Sequence, residues 1–108
     1  MQAELFWQTL GGTMGITCTI TRTVSQIPVV DLSTVNAARI RLRRSGADAV
    51  NYTATVVGLP TATSITIRHA FVPGDLTVGT YSAWGVVSVD DGTSWYPSEA
   101  GTLTVVDT

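Results

Sequence analysis

Apolar and polar residues alternate one for one along several segments of this chain. The apolar members of the three clearest segments are Ile16, Cys18 and Ile20; Ile40 and Leu42; and Ile65 and Ile67. Successive side chains of a β-strand point to opposite faces, so this period of two predicts strands with one buried face and one polar face. No segment carries an apolar stripe at helical spacing. The pattern therefore favours an all-β fold.

Further strands are predicted where β-branched and aromatic residues cluster, at 4–9, 49–57, 80–89 and 101–106. Turn residues separate them, at 11–12, 45–48, 58–60, 73–75 and 90–92. Segment 28–36 lacks a period and is expected to cross between sheets, with Asp31 or Ser33 capping one helical turn. Seven to eight short strands predict one immunoglobulin-like antiparallel β-sandwich spanning 1–108.

The chain is poor in charge for its size. Of 108 residues, 13% are charged and 18 are threonine, and the net charge is −2. Such a small net charge favours association over a monomer in solution. The first residues lack the basic start and apolar run of a secretory signal, and no stretch approaches the roughly 20 apolar residues of a membrane span. We therefore expect neither export nor membrane insertion, and the acidic balance disfavours nucleic-acid binding.

The segment from Asp75 to Tyr81 has the shape of a tyrosine corner, in which a Tyr early in a strand bonds back to the upstream backbone. Antibody domains place a Cys two residues after that Tyr, whereas this chain has Ala83. Cys18 is the only cysteine, so no internal disulfide can form, and its phase predicts a buried apolar role.

From Ala38 onward, the order of features resembles the immunoglobulin-like domains of tailed-bacteriophage virion proteins, most nearly the amino-terminal domain of baseplate upper proteins. The segments that carry this likeness are 38–43, 76–84, 90–92, 96–98 and 103–105. The resemblance implies a non-catalytic virion component of the tail, baseplate, connector or capsid surface, made in the host cytoplasm. Its partners would be other virion proteins or copies of itself. Unlike baseplate upper proteins, which continue into fibrous regions, this sequence stops at Thr108.

One strand carries the only concentration of charge. Arg39, Arg41 and Arg43 alternate with apolar residues and are followed by Arg44, so the first three share a face at a spacing of about 7 Å. Two interpretations remain open, a solvated outer face and a surface whose arginines meet carboxylates of a neighbour. We add three apolar candidates for partner contact, Trp84, Val86 and Phe6. Trp84 and Val86 are expected to point outward, away from Tyr81 and Ala83.

The remaining candidates have structural interpretations beside functional ones. Trp95 and Tyr96 could form a sugar-stacking platform, although packing over the end of the sandwich is the commoner arrangement. His69 is in phase with the core and is predicted to bond to a backbone group. Asp90-Asp91-Gly92 predicts a tight hairpin turn, with calcium binding as the alternative.

No nucleophile, base and orienting group occur in a recognisable setting, and no ligand spacing for a metal is present, so we expect no enzyme activity and no cofactor. The leading hypothesis is a virion structural protein that acts through strand faces and an exposed edge strand. The alternative is a carbohydrate- or cell-surface-binding module for host attachment.

Overall fold

The computed structural model describes residues 2–10, 13–22, 30–44, 46–71 and 79–105, with the side chains of 6–10, 13, 14 and 105 outside that description. Nine strands and one 3-10 turn lie in these ranges, and no α-helix does. In chain order they are β1 (Gln2–Leu10), β2 (Thr13–Thr21), the turn η1 (Leu32–Thr34), β3 (Ala37–Arg44), β4 (Val50–Thr53), β5 (Thr55–Val56), β6 (Ser64–Ala70), β7 (Gly79–Ser88), β8 (Tyr96–Pro97) and β9 (Gly101–Val105). The predicted all-β fold is confirmed.

The strands form two antiparallel sheets that face each other. The first sheet has the order β1-β2-β6-β5, and the second has the order β4-β3-β7 with both β8 and β9 on the far side of β7. This order corresponds to strands A-B-E-D and C-F-G of an immunoglobulin sandwich. The two inner faces supply the core, which includes Ile16, Cys18 and Ile20 from one sheet and Ile40 and Leu42 from the other.

The predicted strand 49–57 is wrong as a single element, because the chain changes sheets at Ala54. Before that point β4 pairs with β3, and after it β5 pairs with β6. The main chain records the switch: the Ala54 amide donates to the Ala38 carbonyl at 2.9 Å, and the Val57 amide donates to the Thr66 carbonyl at 2.8 Å. Alternation of side chains cannot reveal such a switch, since both halves keep the same period.

The two sheets approach each other closely where Gly85 faces the first sheet. A Cβ atom at this position would lie 2.7 Å from Ile20 Cδ1 and 2.9 Å from Cys18 Sγ. Glycine is therefore required by the close approach and not by its backbone angles. Cys18 is fully buried, as predicted, and burial raises the pKa of its thiol to about 12.

The structure identifies which of the two candidate residues caps the 3-10 turn. Asp31 caps η1, because its carboxylate accepts hydrogen bonds from the Ser33 amide at 3.0 Å and the Ser33 hydroxyl at 2.6 Å. These bonds lower the pKa of the Asp31 carboxyl. Of the proposed tyrosine corner, segment 75–78 lies outside the described residues, while Tyr81 is buried in the core.

Candidate contact surface on the outer face of β3 and β7

The arginines of β3 lie on the outer face of the second sheet, as their phase predicts. Ala38, Ile40 and Leu42 are buried in the core, while the intervening Arg39 and Arg41 are half-buried and Arg43 is exposed. β3 lies between β4 and β7, so the row of guanidinium groups crosses the middle of a sheet instead of lining its edge.

Arg41 occupies the centre of this row. Its register partners are Asn51 on β4 and Trp84 on β7. The Arg41 Nε donates to Asn51 Oδ1 at 2.6 Å, and its Cζ lies 5.8 Å from the centroid of the Trp84 ring. Trp84 is half-buried on the outer face. The Arg41 guanidinium is therefore positioned by one amide and one aromatic ring, and its terminal nitrogens can still donate.

Arg39 makes the shortest cation–π contact on this face. Its Cζ lies 4.1 Å from the centroid of the Trp95 ring. On another side of the ring, a Cβ placed on Gly92 would lie 3.3 Å from Trp95 Cζ2. Trp95 is consequently half-buried, and part of the ring proposed for sugar stacking is already occupied by the protein itself. Tyr96 lies on β8 opposite Val87 and packs against the core.

Arg43 and Arg44 end the row in a more open setting. The Arg43 Nε donates to the Ala47 carbonyl at 3.2 Å, and the Arg44 Cζ lies 5.7 Å from the Tyr81 ring centroid. Both residues line a shallow depression of about 400 Å³ together with Thr80, Ser82 and Thr102. With Tyr81 also in the lining, the depression is bordered by two arginines and four hydroxyl-bearing residues.

The three arginines that share the outer face of β3, Arg39, Arg41 and Arg43, have no acidic partner in the part of the chain that the structure describes. The partners they do have are aromatic rings, an amide oxygen and a carbonyl oxygen. We call Arg39, Arg41, Arg43 and Trp84 the arginine surface.

Val86 does not belong to this surface, so its assignment as a contact residue is wrong. It points outward as its phase requires, but only 1% of its side chain is exposed. It lies in the middle of its sheet, between Arg39 on β3 and Pro97 on β8. The outer face of β7 is thus covered near β8 and open near Trp84. The side chain of Phe6, the remaining contact candidate, lies outside the described residues; its backbone pairs with Thr17.

The segment that holds Trp95 over Arg39 is organised by one buried hydroxyl. Ser88 Oγ donates to Asp90 Oδ1 at 2.7 Å and accepts from the Gly92 amide at 2.9 Å. Asp90 Oδ1 also accepts from the Ser94 amide at 2.8 Å. These bonds from Ser94 and Ser88 lower the pKa of the Asp90 carboxyl. The carboxylate therefore works as an internal acceptor.

A turn is present at 90–92 as predicted, but it lies within the longer connection 89–95 between β7 and β8 and is not a tight hairpin by itself. Asp91 and Gly92 have φ values of 57° and 89°, and the Thr93 amide donates to the Asp90 carbonyl at 3.3 Å. Positive φ at both central residues is what a type I′ turn requires, and Asp-Gly tolerates it. The Asp91 amide also donates to Asn36 Oδ1 at 3.0 Å, which ties the turn to the start of β3.

His69 has the structural role that its phase predicts. Its Nδ1 lies 2.7 Å from the Thr53 carbonyl oxygen, which can only accept, so Nδ1 carries the proton. The imidazole ring centroid lies 4.6 Å from that of Phe71 and 5.0 Å from that of Tyr52. The ring therefore fills an aromatic cluster where β4, β6 and the chain after β6 meet.

The described ranges contain no group of three or more His, Cys, Asp or Glu residues placed to hold a metal ion. Within the same ranges, no helix has the length and apolar character needed to cross a membrane.

Sequence reasoning found the arginines and Trp84 but missed Asn51 and the contact of Arg39 with Trp95. Asn51 could have been found only from the register of β3 with β4, because nothing in its local sequence marks it. The contact of Arg39 with Trp95 joins two segments that are distant in the chain, so no local pattern announces it.

No protein-family model matches this chain, and neither a curated protein nor a solved structure shows significant similarity to it.

Proposed function

We propose that this protein is a structural component of a tailed-bacteriophage virion, in its tail, baseplate, connector or capsid surface, and that it acts by binding other virion proteins through the arginine surface. The observation that carries the proposal is a row of three arginines across the middle of a sheet with no carboxylate partner among the described residues. The resemblance of 38–105 to virion immunoglobulin-like domains supplies the biological setting.

The chemistry of the arginine surface favours a partner that presents carboxylates. A guanidinium group offers several N–H donors in a planar fork that matches the two oxygens of Asp or Glu. Arg41 is already oriented by Asn51 and Trp84, so less conformational freedom is lost when it binds. Arginine and tryptophan are also the residue types most enriched where binding energy is concentrated in protein interfaces.

The composition suits an assembled particle. With charged residues at only 13% and a net charge of −2, the chain lacks the charge that keeps a solitary protein dispersed. In an assembly, neighbouring subunits cover these weakly charged faces. The carbohydrate-binding alternative has no comparable support, because Arg39 lies over the Trp95 ring.

The proposal is tested first by gene context and then by binding. Flanking genes for capsid, portal or tail proteins would identify the particle, and purified particles lacking this protein then serve as the probe. We compare the unmodified chain with a triple Arg39→Gln, Arg41→Gln, Arg43→Gln variant and with the corresponding triple Arg→Lys variant. Arg22→Gln serves as the control, because Arg22 lies outside the surface and bonds to the Ala62 carbonyl.

We expect the Gln variant to bind the particles at least tenfold more weakly, with the Lys variant in between, because lysine keeps the charge but loses the planar fork. Binding by the unmodified chain should weaken as salt rises. Arg22→Gln should bind like the unmodified chain. Equal binding by the triple variants and the unmodified chain would overturn the role of the arginine surface. Flanking genes unrelated to a virion would overturn the virion assignment.

A further inference from the structure

A second interaction site is suggested by the main chain of β1, which is an edge strand. β1 pairs with β2 on one side, and among the described strands it ends the order of its sheet on the other. An edge strand presents a row of N–H and C=O groups that can pair with another strand, and proteins ordinarily shield such edges.

The register shows which groups of β1 face this open edge. Leu10 and Thr13 are partners with only two residues between them, a geometry in which both residues exchange main-chain hydrogen bonds. The register then continues without a bulge to Gln2 and Thr21, so hydrogen-bonded positions alternate along β1. Even-numbered residues of β1 therefore bond to β2. The residues whose N–H and C=O groups face the open edge are Ala3, Leu5, Trp7 and Thr9.

β1 differs from the other strands at the sheet edges in length and in protection. β5 and β8 have two residues each, β4 has four and β9 has five, whereas β1 has nine. Short edges are a recognised defence against unwanted pairing, as are prolines, charges and bulges. β1 contains no proline and only one charged residue, Glu4, and its ladder is unbroken.

We propose that β1 pairs antiparallel with β1 of a second copy of this chain, centred on Phe6, so that the two four-stranded sheets join into one. The site is distinct from the arginine surface and does not depend on the proposed function. The pairing brings Ala3 opposite Thr9 and Leu5 opposite Trp7. All four edge-facing residues of each copy thereby find hydrogen-bonding partners.

The distribution of charge favours a second copy in this register. Glu4 lies opposite Gln8, a neutral amide that can donate to the carboxylate, whereas a shift of the centre to Glu4 would bring two glutamates face to face. Glu99 lines a depression with Gln2, Ala3 and Glu4, so it also lies near this end of the edge. The antiparallel arrangement places both acidic groups beside the uncharged Gln8–Leu10 end of the partner.

Amide hydrogen exchange tests the pairing on the unmodified chain. In an isolated copy, we expect the amides of Glu4, Phe6 and Gln8 to be protected by β2, while those of Ala3, Leu5, Trp7 and Thr9, which do not bond to β2, should exchange rapidly. If the proposal holds, exchange at these four odd-numbered positions slows about tenfold or more as the chain concentration is raised through the dimerisation range. Rapid exchange at the four positions at every concentration would overturn the proposal, as would slow exchange that does not depend on concentration.

Disulfide trapping tests the register. Cys18 is buried and its thiol has a pKa raised to about 12, so an introduced cysteine is the reactive one. Mixing Glu4→Cys with Gln8→Cys should give a crosslinked heterodimer under mild oxidation, because the two positions face each other. Each variant alone should crosslink at least tenfold less, since identical positions then lie several residues apart. Equal crosslinking in all three samples, or none in the mixture, would contradict the register.

The two proposals fail separately. Pairing through the main chain of β1 should be insensitive to salt and should survive the triple Arg→Gln substitution. Binding through the arginine surface should be lost in that variant. A dimer that dissociates when the arginines are replaced would overturn the β1 pairing and leave the arginine surface as the contact.

Discussion

The two outer faces of this sandwich are built from similar alternating strands, yet they satisfy their polar groups in different ways. On the β1-β2-β6-β5 sheet, Thr19 Oγ1 and Thr66 Oγ1 lie 3.1 Å apart across neighbouring strands, and Thr17 is only 3% exposed. On the other sheet the equivalent positions are arginines, held by aromatic rings and by neutral oxygens. Hydroxyls can both donate and accept, so the Thr19–Thr66 pair is satisfied within the sheet, whereas guanidinium groups only donate. Arg68 lies on the same face, opposite Thr17.

This difference indicates which face retains hydrogen-bond donors that are not used within its own sheet. A threonine pair is complete once one hydroxyl donates to the other. Arg39, Arg41 and Arg43, which have no carboxylate partner among the described residues, keep their charge and several N–H donors. The comparison therefore supports the proposal that the arginine surface binds a partner.

The largest loss of stability is expected from a substitution in the core that lies between the two sheets. Gly85→Val should lower the free energy of unfolding by about 3 kcal/mol, because its Cβ would already meet Ile20 Cδ1 at 2.7 Å and force the sheets apart. Ser82→Val is the matched control, since Ser82 is an exposed residue of the same strand. Chemical unfolding measures both. Equal stability of the two variants would mean that the sheets do not approach at Gly85.

The next largest loss of stability is expected in segment 88–95, which places Trp95 over Arg39 of the arginine surface. Ser88→Ala removes the hydroxyl that donates to Asp90 and accepts from the Gly92 amide, leaving a part-buried N–H without its acceptor. We expect a loss of about 1–3 kcal/mol in the free energy of unfolding. The resonance of the Trp95 indole should also shift as the ring moves from Arg39. Ser82→Ala should change neither the free energy of unfolding nor the Trp95 resonance. An unchanged Trp95 resonance in Ser88→Ala would show that the Ser88 hydroxyl does not position the ring.

Smaller energies are expected for the couplings between pairs of side chains on the two outer faces. A double-mutant cycle on Arg39 and Trp95, using Arg39→Met and Trp95→Leu, should give a coupling of about 0.5–1 kcal/mol. The coupling of Arg41 with Trp84 should be weaker, because the guanidinium lies 5.8 Å from the ring centroid. A cycle on Thr19 and Thr66 with valine at both positions should give about 0.2–1 kcal/mol. Salt should reduce only the arginine couplings, and a salt-sensitive threonine coupling would erase the distinction.

The smallest effect is a pH dependence from Asp90. Hydrogen bonds from Ser94 and Ser88 lower the pKa of its carboxyl in the folded protein. The stabilisation is therefore present above the usual aspartate pKa range and is lost as the pH falls through the lower folded pKa. Melting curves of the unmodified chain and Asp90→Asn should differ at neutral pH and converge in acid. A difference that is constant from neutral to acidic pH would show that the charge of Asp90 is not the cause.

Local sequence patterns predicted the positions of strands and turns more successfully than they predicted burial and strand pairing. Alternation located the strands around Ile16–Ile20, Ile40–Leu42 and Ile65–Ile67, and Asp-Gly located the type I′ turn. The same alternation placed Val86 outward correctly but could not show that it is buried between Arg39 and Pro97. It also could not divide 49–57 between two sheets, because both halves keep a period of two.

The sequence by itself determined that strands with two unlike faces would form, that Asp31 or Ser33 would cap a turn, and that no disulfide would hold the sheets together. These are consequences of backbone geometry and side-chain chemistry within a few residues. Only the tertiary structure decided that Arg39 contacts Trp95, that Ile20 packs against Gly85, and that β1 ends its sheet among the described strands. Sheet pairing joins segments far apart in the chain, so these outcomes depend on long-range contacts that no local pattern specifies.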